Sequence, residues 1–355
     1  MAIPPPSTFI YKVDPSGHSI GCDVYVPSED QATLFPNGAP ILLFIRMSGF
    51  MCFSRSTAGP HWWQSGTKRG YVVVNLDHRL APQTKIDGIY QDIADACRWA
   101  RDTLPSLIPH IAVYTSKLIV AGGSAGGHLA LLAGSYLEPK PLAIISLYAL
   151  ADPTVEGVDA KTFPNPPRGR TQLIELDEVE ESLDEHGPVV SASQEDDIDL
   201  ETCSYKNRGA AMFYLAQEGL LYPKVYGTTN VQEIRERWSV PWLINQLGPD
   251  EDFPPTFLIH SESDSYNHYT QSTAVYDSLV QHHQRQRPQS APGESSLAHK
   301  LWIVTDEESP FDTTKGKHLE HSFDSLQMAQ DETGDLDKIF ARKVWDEFLS
   351  GLVRS

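Results

Sequence analysis

Six short, uninterrupted apolar runs set the strongest limit on how this chain of 355 residues can fold. Apolarity that is continuous rather than alternating is typical of strands covered on both faces, as in a parallel sheet. Runs this short, separated by much longer polar stretches, predict buried strands linked by crossover connections. The six runs are Ile41–Ile45, Tyr71–Val74, Leu118–Ala121, Leu142–Leu147, Thr256–Ile259 and Leu301–Val304.

The segments around these runs complete an α/β pattern. Ahead of them, Thr8–Val13 and Ile20–Val26 alternate apolar and polar residues, and Asp14–Gly17 between them has the composition of a tight turn. Between the second and third runs, apolar residues at helical spacing predict an amphipathic helix over Tyr90–Leu104. We therefore predict an α/β fold: a doubly wound, mostly parallel sheet with an N-terminal antiparallel hairpin.

Two segments interrupt the alternation. Residues 151–250 are too long for a simple connection, and they include a helical pattern over Gly209–Glu218. We expect residues 1–150 and 251–355 to form the core and residues 151–250 to form an inserted lid. The segment His282–Ala298 is rich in Gln, Ser and Pro, which predicts an exposed loop.

The charge of the chain excludes some classes of partner. Asp and Glu number 47 against 28 Lys and Arg, which gives a net charge of −19. Such a chain is a poor ligand for nucleic acid or for an anionic membrane surface. Residues 175–201 hold twelve of the acids and neither Lys nor Arg. This run is interpreted either as a solvated or mobile segment, or as an acidic surface that repels anionic substrates or docks a basic partner.

Cysteine usage and the N-terminus suggest an ordinary cytoplasmic protein. Four cysteines are too few for a disulfide framework, and none has zinc-site spacing. The first residues lack the pattern of a signal peptide, and no apolar stretch approaches the length of a membrane span. We expect a cytoplasmic location and neither a metal nor an organic cofactor, and the oligomeric state stays open.

A glycine-rich turn carries the strongest functional signal. Gly122–Gly127 fits G-x-S-x-G, with Ser124 at its centre, an apolar run before it and a helical pattern after it. Such a turn projects the serine hydroxyl beside a helix N-terminus, whose dipole favours developing negative charge. A turn that merely binds phosphate is the alternative, but the Walker lysine and the dinucleotide glycine spacing are absent. Ser124 is therefore the predicted nucleophile.

Four blocks, in order along the chain, match the motifs of one known family. Ile41–Phe50 stands where that family has a strand followed by H-G-G-G-F, and Gly70–Pro82 resembles G-Y-x-V-x-x-x-D-Y-R-L-A-P. Gly122–Gly127 matches G-D-S-A-G-G except at residue 123, and Pro255–Asp264 resembles the strand that ends in H-G-x-x-D. In these blocks the chain resembles the hormone-sensitive-lipase-like esterase family of α/β hydrolases. The resemblance implies an α/β-hydrolase fold and a cofactor-independent serine esterase.

A serine nucleophile needs a base and an acid that orients the base, and in this fold they follow in the order Ser, acid, His. The block match implies Asp264 as the acid, with Glu262 as a nearby competitor. The base follows the last apolar run, where His318 and His321 are the candidates. His321, which precedes Ser322-Phe323 as in the family's H-G-F, is the preferred base.

The family's H-G-G-G turn is altered to Arg46-Met47-Ser48-Gly49. Backbone donors carry no residue identity, so the resemblance still implies an oxyanion hole built from the N–H groups of Ser48, Gly49 and Ala125. Met47 and Ser48 do not readily adopt glycine-only conformations, and a rearranged turn would lose one donor. Arg46 is expected to pair with a carboxylate or to meet an acidic substrate.

The expected function is hydrolysis of a carboxylic ester or lactone of a small to medium apolar substrate. Phe50, Met212 and Phe213 are predicted to line an apolar pocket under the lid, although core packing is the simpler interpretation of most such residues. The altered turn keeps two alternatives open. One is a non-hydrolytic enzyme of specialised metabolism that performs acyl transfer, cyclisation or dehydration. The other is a ligand-binding protein without catalysis.

Overall fold

The computed structural model describes residues 5–155, 157, 159, 161, 172–193, 198–199, 204–287, 298–305, 321 and 335–354. Within these residues, eight strands form one sheet in the order β1-β2-β4-β3-β5-β6-β7-β8. The strands are β1 Ser7–Val13, β2 Ser19–Tyr25, β3 Ala39–Ile45, β4 Val72–Leu76, β5 Val113–Gly123, β6 Ala143–Leu147, β7 Thr256–Ser261 and β8 His299–Val304.

Strand direction follows the predicted pattern. β1 pairs with β2 and β2 with β4 in antiparallel fashion, while every other neighbouring pair in the sheet is parallel. The hairpin turn closes where Gly17 N–H donates to the Asp14 carbonyl at 2.9 Å. The predicted doubly wound sheet with an N-terminal antiparallel hairpin is confirmed.

Helices cover both faces of this sheet. Before β6 lie α1 Glu29–Ala32, α2 Pro60–Lys68, α3 Ile86–Asp102, α4 Leu104–Leu107 and α5 Ala125–Tyr136. Between β6 and β7 lie α6 Glu180–Leu183, α7 Asn207–Glu218, α8 Leu221–Tyr226, α9 Val231–Trp238 and α10 Val240–Gln246, together with a two-residue strand pair, Ile198–Asp199 and Ser204–Tyr205. After β7 lie α11 Thr270–Gln286, α12 Asp335–Ala341, the π-helical stretch Arg342–Leu349 and α13 Ser350–Arg354. Short 3₁₀ turns occupy Arg55–Thr57 and Leu176–Glu178.

The continuous apolar runs supply two cores, one on each face of the sheet. On β3, Ile41, Leu43 and Ile45 face the larger cluster, whereas Leu42 and Phe44 face the smaller one. All five side chains are buried. Both faces are apolar because helices cover both, and this is why the runs do not alternate.

Two predicted boundaries are wrong. The amphipathic helix predicted over Tyr90–Leu104 is α3, which begins at Ile86 and ends at Asp102. The loop predicted over His282–Ala298 begins later, because α11 continues to Gln286. His282 is buried there, and its Nε2 lies 2.7 Å from the Glu251 carbonyl. Residues 288–297 lie outside the described residues.

Part of the acidic run is docked on the rest of the chain. The Glu185 carboxylate pairs with Lys85 at 2.6 Å and also with Lys224. The Val190 carbonyl accepts a hydrogen bond from the Leu80 N–H at 2.7 Å. Residues 185–190 are therefore held against the core, whereas the six acids at 175–184 are all exposed. Residues 194–197 and 200–203 lie outside the described residues.

None of the described helices combines the length and the apolarity needed to cross a lipid bilayer.

Candidate active site

Ser124 occupies the sharp turn between β5, which ends at Gly123, and α5, which begins at Ala125. Its φ is +53°, a strained value for a residue with a side chain. The turn is held where Ser124 N–H donates to the Leu147 carbonyl at 2.9 Å. The helix passes so close to β3 that a Cβ on Gly126 would overlap the Ile45 carbonyl oxygen. This geometry places the serine at the carboxyl edge of the sheet, at the N-terminus of a helix.

Ser124, His321 and Asp264 form a continuous hydrogen-bonded chain. His321 Nε2 lies 2.8 Å from Ser124 Oγ, and His321 Nδ1 lies 2.8 Å from Asp264 Oδ2. Asp264 follows the end of β7, and the three residues are separated by 140 and 57 positions along the chain. The fold thus brings together the three side chains that the sequence singled out. His318 lies outside the described residues.

The partners in this chain determine where its protons sit. An ionised carboxylate only accepts hydrogen bonds, so His321 Nδ1 donates to Asp264. The neutral imidazole then has a lone pair at Nε2, which accepts the hydroxyl hydrogen of Ser124. A serine whose hydrogen points at an imidazole lone pair is arranged for proton removal.

The Asp264 carboxylate is enclosed by donors. The backbone N–H groups of Tyr266 and Asn267 donate to Oδ1 at 2.8 and 3.0 Å. Burial alone would raise the pKa of Asp264, but His321 and His260, through charge and hydrogen bonds, hold that pKa well below its ordinary value. Asp264 therefore stays ionised at neutral pH.

His260 was not singled out by the sequence analysis. Its Nε2 lies 2.8 Å from the Asn267 carbonyl and 3.2 Å from Asp264 Oδ2, so this nitrogen carries hydrogen. Its Nδ1 lies 2.8 Å from the hydroxyl of Ser272 on α11. The available signal was the histidine at the start of the H-G-x-x-D block, which lies near the end of a buried strand and four residues before the acid.

Two tyrosine rings enclose the imidazole of His321. The ring centroid of Tyr148 lies 4.7 Å from it and that of Tyr266 lies 5.3 Å from it. A Cβ on Gly123 would lie 2.5 Å from the Tyr148 hydroxyl. Tyr148 therefore fills the space that an acidic side chain at residue 123 would need, which gives a steric reason for this departure from the family pattern.

The altered turn at residues 46–49 does not strain the residues that replace glycine. Within Arg46–Phe50, positive φ values occur at Gly49 (+50°) and Phe50 (+64°), and not at Met47 or Ser48. Among the described residues, the N–H groups of Ser48, Gly49 and Ala125 donate no hydrogen bond to another group. The role of these three amides as oxyanion donors stays a prediction.

Arg46 is buried rather than open to a substrate, with 1% of its surface exposed. Its Nη1 lies 3.7 Å from Asp77 Oδ1, and its Nη2 donates to the Ser191 carbonyl at 3.1 Å. Burial lowers the pKa of Arg46, and the charge of Asp77 opposes that shift. Of the two partners expected for this cation, the structure provides the carboxylate, and Arg46 also anchors residue 191 of the acidic run.

The three residues predicted to line a pocket are buried near the site. The Met212 side chain lies directly against Gly49, and the Phe213 ring lies 5.9 Å from that of Tyr266. Helix α7 therefore contacts both the altered turn and the surroundings of His321. The Phe50 ring points instead towards His128 and Tyr226, at centroid distances of 6.1 and 6.4 Å. That these residues contact a substrate stays a prediction.

The contact between Gly49 and Met212 predicts a specific stability cost. Gly49→Ala places a methyl group against the Met212 sulfur and forces a positive φ on alanine, and we expect it to cost about 1–3 kcal/mol in the free energy of unfolding. Chemical denaturation of the purified variant measures this loss.

Gly17→Ala is a matched control, because Gly17 has a φ of +87° and no neighbour within 4 Å of its added Cβ. The cost at Gly49 should exceed the cost at Gly17, and Gly49→Ala introduced into a Met212→Ala background should cost about as little as Gly17→Ala. Equal costs at the two glycines would show that α7 does not pack on this turn.

Comparisons with known proteins agree with the fold described above. The BD-FAE family model matches residues 22–144, and solved structures align over nearly the whole chain. An α/β-hydrolase superfamily protein from Enterococcus faecalis is 18% identical with a TM-score of 0.63, and the alignment covers 99% of each chain. The chain has the α/β-hydrolase fold. This confirms the fold that the family resemblance implied.

Other solved structures with this fold are esterases. Carboxyl esterase 2 from Tuber melanosporum is 14% identical with a TM-score of 0.58, over 97% of this chain and 87% of the esterase. A butyrate-bound esterase from Thermogutta terrifontis, Est2, is 16% identical with a TM-score of 0.58, over 98% and 95%. At these identities the likeness is one of fold.

The curated relatives are much larger proteins. Non-reducing polyketide synthase ascC from Acremonium egyptiacum is 38% identical over 148 residues, which are 40% of this chain and 7% of the synthase. Non-reducing polyketide synthase Preu3 from Preussia isomera is 26% identical over 292 residues, 73% of this chain and 11% of the synthase. This chain thus spans about a tenth or less of the length of these relatives.

Proposed function

We propose that this chain is a serine hydrolase that cleaves a carboxylic ester or lactone through an acyl-enzyme. The observation that carries the proposal is the hydrogen-bonded chain Ser124–His321–Asp264, with 2.8 Å at each link. With a neutral imidazole this chain provides what the reaction requires: a hydroxyl that donates, an imidazole that accepts, and an ionised carboxylate that orients the imidazole.

The residues divide the reaction as follows. Ser124 Oγ attacks the ester carbonyl while His321 Nε2 takes the hydroxyl proton, and the tetrahedral intermediate collapses when that proton passes to the leaving alcohol. Asp264 stabilises the imidazolium formed in between. Water activated by the same imidazole then hydrolyses the acyl group from Ser124. The rings of Tyr148 and Tyr266 limit the positions that the imidazole can adopt.

Negative charge on the tetrahedral oxygen needs donors on the side opposite the base. The N–H groups of Gly49 and Ala125 are the proposed donors, with Ser48 N–H as a third. Ala125 is the first residue of α5, so the helix dipole adds to its donation. Because these donors are backbone groups, the presence of Met47 and Ser48 in place of the family's glycines removes none of them.

The proposed substrate is small to medium in size and apolar. Residues 151–250 would form the lid over the site, and residues 1–150 and 251–355 would form the hydrolase core. Met212 and Phe213 would form the apolar wall for the acyl or alcohol group. Butyrate in the Thermogutta terrifontis esterase supports a short acyl group as the first class to test.

Transfer or cyclisation of a larger acyl group is the second candidate. It is favoured by the curated relatives, which are named as polyketide synthases. The same Ser124 acyl-enzyme would form, but an alcohol or amine would take the place of water in the second half of the reaction.

Fluorophosphonate labelling and a p-nitrophenyl ester panel test the proposal together. We expect labelling of the wild-type chain at Ser124, located by peptide mass spectrometry, and turnover that is fastest for C2 to C6 acyl groups. Labelling and acylation with slow release to water, accelerated by an added alcohol, would favour the second candidate. A chain that is neither labelled nor acylated would refute the nucleophilic role of Ser124.

A further inference from the structure

Two departures from the family pattern lie in contact with each other. Ser48 replaces a glycine of H-G-G-G, and His78 replaces the tyrosine of D-Y-R-L-A-P. Although they are 30 residues apart, Ser48 Oγ lies 3.4 Å from His78 Nε2, and both residues are buried. A hydrogen bond between them is long, but burial protects it from competition by water. Serine supplies the donor, and a neutral histidine supplies the acceptor.

The direction of this hydrogen bond follows from the other ring nitrogen of His78. His78 Nδ1 lies 2.8 Å from the Arg79 carbonyl, which only accepts, so Nδ1 carries the hydrogen. Burial and the nearby charge of Arg46 lower the pKa of His78 well below its ordinary value, so the ring is neutral and Nε2 has a lone pair. The Ser48 hydroxyl therefore donates to His78.

A hydroxyl whose hydrogen is directed at His78 has its lone pairs free to accept. The Phe50 N–H donates to Ser48 Oγ at 3.1 Å. The carbonyl of the same serine accepts from the N–H groups of Met51 at 2.9 Å and Cys52 at 3.0 Å. Ser48 thus binds Phe50 through its side chain, and Met51 and Cys52 through its backbone carbonyl.

This serine acts where the backbone is under strain. Phe50 has a φ of +64°, which costs free energy in a residue with a side chain, and Gly49 has a φ of +50°. The hydrogen bond from Phe50 N–H to Ser48 fixes the Gly49–Phe50 peptide unit in this conformation. Without it, Phe50 can relax to negative φ, and the rotation is transmitted to the neighbouring peptide that carries Gly49 N–H.

We propose that Ser48 and His78 form a positioning pair that holds the Gly49 amide in place and substitutes for the glycine-rich turn of the family. This inference rests on the proposed function, because it assigns the Gly49 N–H to the oxyanion of the acyl-transfer reaction. It predicts that restoring the family residue at either position alone harms the enzyme.

A double-mutant cycle on ester hydrolysis tests this pair. Ser48→Gly and His78→Tyr are each expected to lower kcat roughly 10- to 100-fold with little change in KM, below the loss from removing an oxyanion donor outright. Ser48→Gly/His78→Tyr is expected to lose much less than the product of the two single losses. Two singles with wild-type kcat, or two losses that simply multiply, would overturn the pairing.

Two further variants separate hydrogen bonding from packing. Ser48→Ala removes only the hydroxyl and should match Ser48→Gly in kcat. His78→Gln keeps an acceptor on a side chain of similar reach and should retain more activity than His78→Leu. Equal kcat for His78→Gln and His78→Leu would show that His78 acts only by filling space.

Hydrogen exchange supplies a readout that does not depend on any substrate. Amide exchange at Phe50, followed by mass spectrometry of short overlapping peptides, should accelerate in Ser48→Ala and in His78→Leu. If the wild-type chain hydrolyses no ester, the proposed function fails, while this exchange still tests the contact. Unchanged exchange in both variants would refute the positioning pair even in an active hydrolase.

Discussion

Ser124→Ala is expected to lower kcat for ester hydrolysis by roughly 10⁶-fold, the scale seen when a serine nucleophile is deleted. The substitution removes Oγ, so no acyl-enzyme can form, and the remaining site can only bind and polarise the ester. Alanine tolerates the φ of +53° no worse than serine does, so the turn between β5 and α5 should keep its conformation. Steady-state kinetics and fluorophosphonate labelling of the folded variant measure the loss.

Ser135→Ala is the matched control for this experiment. Ser135 lies on the same helix, α5, and its hydroxyl donates only to the carbonyl one turn earlier, at Leu131. Its kcat should stay within about twofold of wild type. Ester turnover by Ser124→Ala within tenfold of the wild-type rate would contradict the proposed mechanism.

Asp264→Asn should lower kcat by roughly 10⁴-fold, because it changes which ring nitrogen of His321 carries the hydrogen. The N–H groups of Tyr266 and Asn267 donate to Oδ1, so an asparagine would direct its carbonyl oxygen there and its NH₂ towards His321. His321 Nδ1 would then have to accept, which places the hydrogen on Nε2. An imidazole with hydrogen on Nε2 cannot take the proton of Ser124.

Glu262→Gln provides the control, because it changes the competing acid of the same loop. It should alter kcat by no more than a few-fold, whereas Asp264→Asn should lose both turnover and most of its labelling rate. A large loss in Glu262→Gln combined with an active Asp264→Asn would reassign the acid.

The lowered pKa of Asp264 also predicts a dependence of stability on pH. A carboxyl whose pKa is lower in the folded state stabilises the protein above its unfolded pKa, about 3.9, and this stabilisation is lost as pH falls below that value. The difference in free energy of unfolding between wild type and Asp264→Asn should therefore be larger at pH 7 than at pH 3. Urea denaturation at the two pH values measures it, and a difference that grows towards acid would contradict the assignment.

Local sequence signals were sufficient for the sheet but not for the helix ends. The strands were predictable because residues buried on both faces must all be apolar. The start of α3 at Ile86 was missed because its N-cap, Lys85, makes no capping hydrogen bond and leaves no cap residue to recognise. The end of α11 was missed because its polar residues His282 and Gln286 both bind the Glu251 carbonyl, a contact between distant segments.

The position of the acidic run was likewise decided by tertiary contacts. Its composition alone indicated a solvated segment, and most of its described acids are exposed. The residues that dock it, such as Lys85 and Lys224, lie 100 and 39 positions away. Composition does not show which opposite charges the fold will bring within reach of Glu185.

The sequence by itself determined the α/β architecture and singled out Ser124, Asp264 and His321 for the site. The family resemblance chose Asp264 over Glu262 and His321 over His318. Parallel strands deliver their carboxyl ends to one edge of the sheet, which is why residues so far apart in sequence were expected to meet there. Tertiary structure alone decided how the turn after β3 works. The contacts of Ser48 with His78, of Gly49 with Met212 and of Asp264 with His260 join residues from separate parts of the fold. Which of these side chains meet depends on how the elements pack, and no local residue pattern encodes that packing.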